Sequence, residues 1–357
     1  MQRKNSSNFN MQKILGKPLE EVDKIIKEKE SHINRITIPK KDGSPRHVVA
    51  PGRDLKYVQK SLYWKFFRRY KPHEAAHGFV AKRGISTNAD WHVGAMSLGK
   101  IDIKNFFDSI SEDHLKNCLF GNKHICRYCK HYERMLDGLC DPSLYKNKTT
   151  DFKFKCDEIK AVYIPNYCEE VGYDSLFKRV IELCTYNGYT AQGFPSSPVI
   201  ANIVLRGFDQ TMEAYCYDNQ VTYTRYADDL AFSSMKHTKE ELRKIVVQKV
   251  YRHLWSYGFE PNKKKTIFKS RAGRLKICSV VVNEKKNVQR SVMHKFRAKV
   301  HSACVKLPEE TTKTRIRELK GFASFVMSIN HDKGSYYMRK LLDFEAQNFT
   351  KLTTAKV

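Results

Sequence analysis

The stretch Tyr223-Thr-Arg-Tyr-Ala-Asp-Asp-Leu-Ala-Phe232 constrains this chain more than any other. Two apolar runs, Val221–Tyr226 and Leu230–Ser234, flank a short acidic turn, which predicts a β-hairpin with Asp228 and Asp229 at its tip. Adjacent carboxylates repel each other and call for a compensating cation. A divalent metal meets that need, because Mg²⁺ takes one or two carboxylates together with phosphate oxygens and water. Taken alone, a paired Asp reads more readily as a solvated turn, since aspartate is a favoured turn residue. A second acidic strand end separates the two readings. In Ile101-Asp102-Ile103-Lys-Asn-Phe-Phe107-Asp108, an apolar strand would deliver Asp102 beside the hairpin tip. Three carboxylates around two metals about 3.5–4 Å apart stabilise the attacking and leaving oxygens of phosphoryl transfer.

Charge says what such a site would hold. The 357 residues carry 65 Lys and Arg against 38 Asp and Glu, a net +27, so a polyanion is the expected partner: nucleic acid or an anionic membrane surface. A hydrophobic content of 41% with 12% aromatic residues excludes global disorder, and the length suits two to three subdomains. No window approaches the roughly 18 uninterrupted apolar residues of a membrane span. The first residues, MQRKNSSNFNMQKILGK, hold no apolar core of a secretory signal. Ten cysteines are too sparse for a disulfide scaffold, so a reducing cytoplasm is the expected compartment.

Periodicity outlines the rest. Residues 11–31 predict a helix, and 33–38 with 46–50 predict a basic hairpin around Lys40-Lys41-Asp42-Gly43-Ser44-Pro45. Residues 54–70 predict a helix, 100–106 a buried strand, 198–218 a helix, 238–257 an amphipathic helix and 274–283 a strand pair. From Ser291 onward the chain reads as basic and helical. Strands and helices interleaved without βαβ regularity predict an α+β fold with helices on one face of the sheet.

Four segments, in this order, resemble the polymerase motifs of reverse transcriptases over about residues 35–300. Asp102 with Phe107 resembles the first motif, Gln192-Gly-Phe-Pro-Ser-Ser-Pro198 the second, Tyr226-Ala-Asp-Asp229 the third, and Gly258-Phe259 with Asn262 and Lys265-Thr266 the fourth. The resemblance implies a right-hand polymerase of fingers, palm and small thumb with an antiparallel palm sheet. The expected division is 1–98 for the N-terminal segment and fingers, and 99–120 for the first part of the palm. Residues 121–185 would be further fingers with an insertion, 186–284 the remaining palm, and 285–357 a helical basic thumb. It implies Asp102 and Asp228 as the main ligands of two Mg²⁺ ions, with Asp229 as the supporting third acid and the backbone carbonyl of Ile103 as a further ligand. Lys265 would protonate or stabilise the leaving pyrophosphate. Phe107 would clash with a ribose 2′-OH and so select dNTPs, while neighbouring Phe106 packs in the core. Gly193 would let the backbone approach the nucleotide, Gln192 would bond template or dNTP, and Arg46 and Arg83 are the candidates to hold the triphosphate.

Two stretches resemble the retron type more narrowly. Asn88-Ala89-Asp-Trp-His92, following His77-Gly-Phe79 and Arg83, matches a retron element, which implies Asn88 and His92 as RNA-binding residues. Arg274-Leu-Lys-Ile277-Cys278-Ser279-Val-Val-Val-Asn283 aligns with the retron Val-Thr-Gly element near the primer grip, with Cys278 and Ser279 replacing Thr and Gly. The retron resemblance implies a structured non-coding RNA as template and primer source, an RNA–DNA duplex as product, 2′-OH priming that leaves a branch, and a role in anti-phage defence with a separate effector protein. It leaves no place for a membrane. Lys295, Arg297 and Lys299 would grip RNA from the thumb, beyond which neither an endonuclease nor an RNase H domain is expected. The alternatives are a defence or group II intron-like reverse transcriptase with another template or priming mode, and a non-catalytic RNA-binding protein.

Between the first two motifs, residues 121–175 are rich in Cys, His, Lys and Tyr. Cys126-Arg-Tyr-Cys129 is half of a structural Zn²⁺ site that Cys140 and Cys156 would close, with free thiols or packing as the alternative.

Overall fold

The computed structural model describes residues 11–39, 43, 45–119, 173–306 and 308–349. The cysteine-rich segment, with Cys126, Cys129, Cys140 and Cys156, lies outside them, and the zinc expectation with it. The chain forms two compact units, each drawn from several stretches. The first takes the described parts of Met1–Val80, Asp102–Ala214 and Lys249–Asn262; the second takes those of Ala81–Ile101, Tyr215–Gln248 and Lys263–Val357.

The first unit opens with two short helices rather than one, α1 (Met11–Leu15) and α2 (Leu19–Lys27). Gly16 takes a φ of +80° and Pro18 caps α2, so the periodic stretch breaks between them. The basic hairpin follows as expected, β1 (Ile33–Pro39) against β2 (Pro45–Pro51) in antiparallel register. Helix α3 (Arg53–Lys65) buries Leu55, Val58 and Leu62 on one face and ends earlier than its periodicity suggests, in a 3₁₀ turn over Phe67–Arg69. After α4 (Ile85–Asp90), which lies in the second unit, and β3 (Ser97–Asp102), which begins there, the first unit continues with α5 (Glu112–Leu119) and α6 (Tyr173–Cys184). The last carbonyls of α6 are capped from a distance: Gln59 Nε2 donates to Leu183 O at 2.8 Å, and Lys29 Nζ donates to Glu182 O and Thr185 O. The stretch 198–218 is two helices, α7 (Ser197–Val204) and α8 (Arg206–Asp218), separated at Leu205, whose ψ of 0° leaves the helical region.

The second unit is built on a four-stranded sheet of order β4-β5-β3-β6, from β4 (Thr222–Tyr226), β5 (Asp229–Ser234), β3 and β6 (Ile267–Ser270). Both β4–β5 and β3–β6 are antiparallel. The predicted strand at 100–106 is shifted: it starts at Ser97 and ends on Asp102, because there the chain leaves the sheet and Ile103 bridges Pro261 instead. Helix α9 (Lys239–Ser256) follows β5. The expected strand pair is a small three-stranded sheet, β7 (Lys276–Ile277), β8 (Val280–Val281) and β9 (Asn287–Val288). Helices α10 (Arg290–His301), α11 (Lys313–Ile329) and α12 (His331–Phe349) complete the unit. One core joins Leu98 and Ala231 of the large sheet, Ile277 and Val280 of the small one, and Phe296, Val326 and Leu341 of the helices. The α+β class with antiparallel sheets is therefore the observed one. Among the described residues, no helix is long and apolar enough to cross a membrane.

Candidate active site

The hairpin turn is tighter than its sequence suggests. Tyr226 pairs with Asp229, so the loop is Ala227 and Asp228 alone and Asp229 already belongs to β5. Ala227 adopts a φ of +56° at the first loop position, where glycine is usual. The fully buried Arg225 reaches forward, Nη1 donating to Ala227 O at 3.2 Å. The two neighbouring carboxylates therefore sit in different settings, Asp228 on a two-residue loop and Asp229 at a strand end. Lys100 Nζ on β3 stands 2.5 Å from Asp229 Oδ2, the two side chains being 22% and 25% exposed.

Behind the hairpin, His92 is fully buried and bridges both strands, one ring nitrogen 2.7 Å from Thr224 Oγ1 and the other 2.7 Å from Ser233 Oγ. Asn88, also buried, donates Nδ2 to Cys278 Sγ at 3.5 Å. The expectation that Asn88 and His92 meet RNA directly is thus corrected: both face inward, and His92 braces the strands that carry the acids. Cys278 and Ser279 form the β7–β8 turn with φ of +45° and +71°, a conformation that glycine adopts more readily. Burial, and then the charge of Asp229, push the Cys278 thiol up to about 11, so it stays protonated at neutral pH.

In the first unit, Asp102 is held by Asn262. The Asn262 N–H donates to Asp102 O at 2.7 Å, and Asn262 Nδ2 to Asp102 Oδ2 at 3.1 Å. Lys104 N–H donates to Glu260 O at 2.9 Å on the other side of the Ile103–Pro261 bridge, so Ile103's own N–H and C=O turn away from it. Phe107 is half-buried, its ring 6.2 Å from Phe79 and 5.2 Å from Phe106, and its carbonyl accepts from Thr190 Oγ1 at 2.6 Å. Phe106 is buried against Phe259, 6.3 Å between rings, the packing role expected of it.

Gln192 and Gly193 face the β-hairpin of the same unit. Gln192 O accepts from Val49 N–H at 2.8 Å. A Cβ on Gly193, whose φ is +120°, would come within 2.6 Å of Val49 O. The backbone that this glycine admits at close range is that of β2. Arg46 is exposed on β2 and Arg83 is half-buried in the second unit. Lys263, Lys264 and Lys265 form an exposed 3₁₀ turn. Lys295, Arg297 and Lys299 are all exposed on α10, whose buried residues are Met293, Phe296 and Val300.

Sequence reading missed three contributors: Lys100, Arg225, and the side chain of Asn262 as a clamp. For Lys100 a signal was present, since residues two apart on a strand share a face, and Lys100 stands two before Asp102.

Among the described residues, no three His, Cys, Asp or Glu side chains gather as a metal cluster. Asp229 is engaged by Lys100 and Asp102 by Asn262. Carboxylate oxygens suit a hard cation, and both Asp102 in the first unit and Asp228 in the second are partly exposed.

Comparison with known proteins adds several similarities. Residues 143–289 match the family described as reverse transcriptase (RNA-dependent DNA polymerase), a span that includes Gln192–Pro198, Asp228 and Asp229 but not Asp102. The retron Mx162 reverse transcriptase of Myxococcus xanthus is 27% identical over 329 residues, covering 88% of this chain and 61% of that protein. The retron Mx65 enzyme of the same organism is 26% identical, over 88% of this chain and 65% of its own length. The retron Ec86 reverse transcriptase of Escherichia coli is 25% identical, over 83% and 76%. The chain thus spans just under two thirds of the two Myxococcus relatives. Among solved structures, Candida albicans telomerase in complex with a fragment of telomeric RNA aligns with a TM-score of 0.47 at 14% identity, over 94% of this chain and 60% of that one.

Proposed function

We propose that this chain, a relative of the retron-type reverse transcriptases, is an RNA-directed DNA polymerase that copies a structured non-coding RNA. The observation that carries the reading is the strand order: β3, which ends on Asp102, neighbours β5, which opens on Asp229 directly after Asp228. Asp102 and Asp228 would hold the Mg²⁺ ions, with the Ile103 carbonyl as a further donor. Bound there, a pair of divalent ions supplies acidity to a primer hydroxyl and neutralises charge on the departing pyrophosphate.

The remaining roles belong to the chain. Asn262 holds the Asp102 carboxylate in one orientation. Arg225 and His92 keep the hairpin rigid, so Asp228 is presented on a fixed loop. Phe107, wedged between Phe79 and Phe106, would exclude a 2′-OH and so favour dNTPs. Lys265 would offer a proton or positive charge to the pyrophosphate, with Arg46 and Arg83 holding the triphosphate. Exposed Lys295, Arg297 and Lys299 suit the phosphates of an RNA template or an RNA–DNA duplex. The division into fingers, palm and thumb, priming from a 2′-OH to give a branched RNA–DNA product, and service in anti-phage defence beside an effector protein complete the reading; kinship with retron enzymes supports them.

The test is Mg²⁺-dependent dNTP incorporation on RNA by the purified chain. Asp228→Asn is expected to abolish synthesis while RNA binding persists; near wild-type synthesis would sink the assignment. Sequencing of nucleic acid that copurifies from the native locus checks the narrower claim, which requires a branched RNA–DNA species.

A further inference from the structure

Two adjacent carboxylates need positive charge nearby whether or not a metal ion is present, and the second unit supplies it from its own strands. Lys100 and Asp229 form an ion pair of 2.5 Å between neighbouring strands, with about three quarters of each side chain removed from solvent. For Asp229 to join a divalent ion, it would have to leave this pair, and the ammonium would remain partly buried beside a doubly charged cation. Both consequences are unfavourable, the first through lost pairing of a desolvated charge and the second through like-charge repulsion. Mg²⁺ has no need of the third carboxylate, since one or two together with water and phosphate oxygens complete its shell.

We propose that Lys100 is a resident counter-cation that keeps Asp229 out of the metal shell. The ion-binding carboxylate of the hairpin is then Asp228, and Asp229 is a positioning residue that fixes the hairpin to β3. This assignment rests on the polymerase reading above and divides its acids into two kinds.

Mn²⁺ binding to the full chain, measured by electron paramagnetic resonance without nucleotide or nucleic acid, tests it. Asp228→Asn should weaken Mn²⁺ at least about tenfold, and Asp229→Asn, which removes no ligand but frees the Lys100 ammonium, should weaken it by less. Lys100→Met should tighten Mn²⁺ by about tenfold, because the freed Asp229 becomes a ligand, and the double variant Lys100→Met with Asp229→Asn should return to the wild-type value. Lys100→Arg keeps the charge and should bind Mn²⁺ as the wild type does, with an unchanged melting temperature as the control for folding. The proposal is overturned if Asp229→Asn weakens Mn²⁺ as much as Asp228→Asn, or if Lys100→Met leaves the affinity unchanged. A chain that makes DNA without this pattern overturns the counter-cation alone; one that shows the pattern but makes no DNA overturns the polymerase reading alone.

Discussion

Asn262 grips Asp102 twice, through its backbone N–H on the carbonyl and its side-chain amide on the carboxylate. The backbone bond belongs to the bridge that takes the chain out of the sheet, while the side-chain bond sets the direction of the carboxylate. Replacing the amide should therefore leave the fold and misalign the acid. Asn262→Ala is expected to lower kcat for dNTP incorporation by between about 10- and 100-fold, the worth of one hydrogen bond to a charged group, with RNA affinity unchanged. Steady-state kinetics beside RNA filter binding separate the two effects.

Phe107 is held by rings on both sides and by its carbonyl, so it has little freedom to yield to a larger sugar. Phe107→Ala should raise the efficiency of rNTP relative to dNTP incorporation by about 10- to 200-fold, the range in which pocket size alone discriminates. Competition between rATP and dATP on a defined template reads this directly.

Gly193 meets the hairpin rather than open space, and its φ of +120° is poorly suited to any side chain. Gly193→Ala should cost about 1–3 kcal/mol through overpacking and backbone strain together. Chemical denaturation of the purified variant measures it, and an unchanged midpoint would contradict the contact.

His253 makes stability depend on acid. Stacked on Phe208 at 5.1 Å, it is held at about 4, first by burial and then by the charge of Lys249. Below its ordinary value of 6.5 the unfolded chain takes up a proton that the folded chain refuses until about pH 4. The contribution of His253 to stability is therefore complete above pH 6.5 and is lost as pH falls from 6.5 to 4, by up to about 3 kcal/mol. Denaturation midpoints at pH 7, 5.5 and 4.5 should fall more steeply in the wild type than in His253→Phe, which keeps the stack without the titration.

Much of this was legible in one dimension. The hairpin around Asp228, the basic β1–β2 hairpin and α9 were readable because periods of 2 and 3.6 are local properties of the chain. Helix continuity was less so. Gly16 and Pro18 announce the break between α1 and α2, whereas nothing at Leu205 marks the break between α7 and α8, which are both amphipathic and read as one. Strand β3 was placed three residues late at its start, because its apolar run continues past Asp102 although its sheet pairing does not.

The sequence by itself determined the order of the acidic motifs, the residue types at them and the excess positive charge, since each depends only on composition and spacing. Tertiary structure alone decided which neighbour each of those residues meets. Asn88 and His92, polar and apparently available, are buried braces, and Gly193 serves a protein backbone. Asp229, one residue from Asp228, is bound to a lysine on another strand. Charge pairing and burial act through space over a few ångströms, and the residues that satisfy them here, Lys100 and Asp229 or Asn262 and Asp102, lie more than a hundred positions apart along the chain.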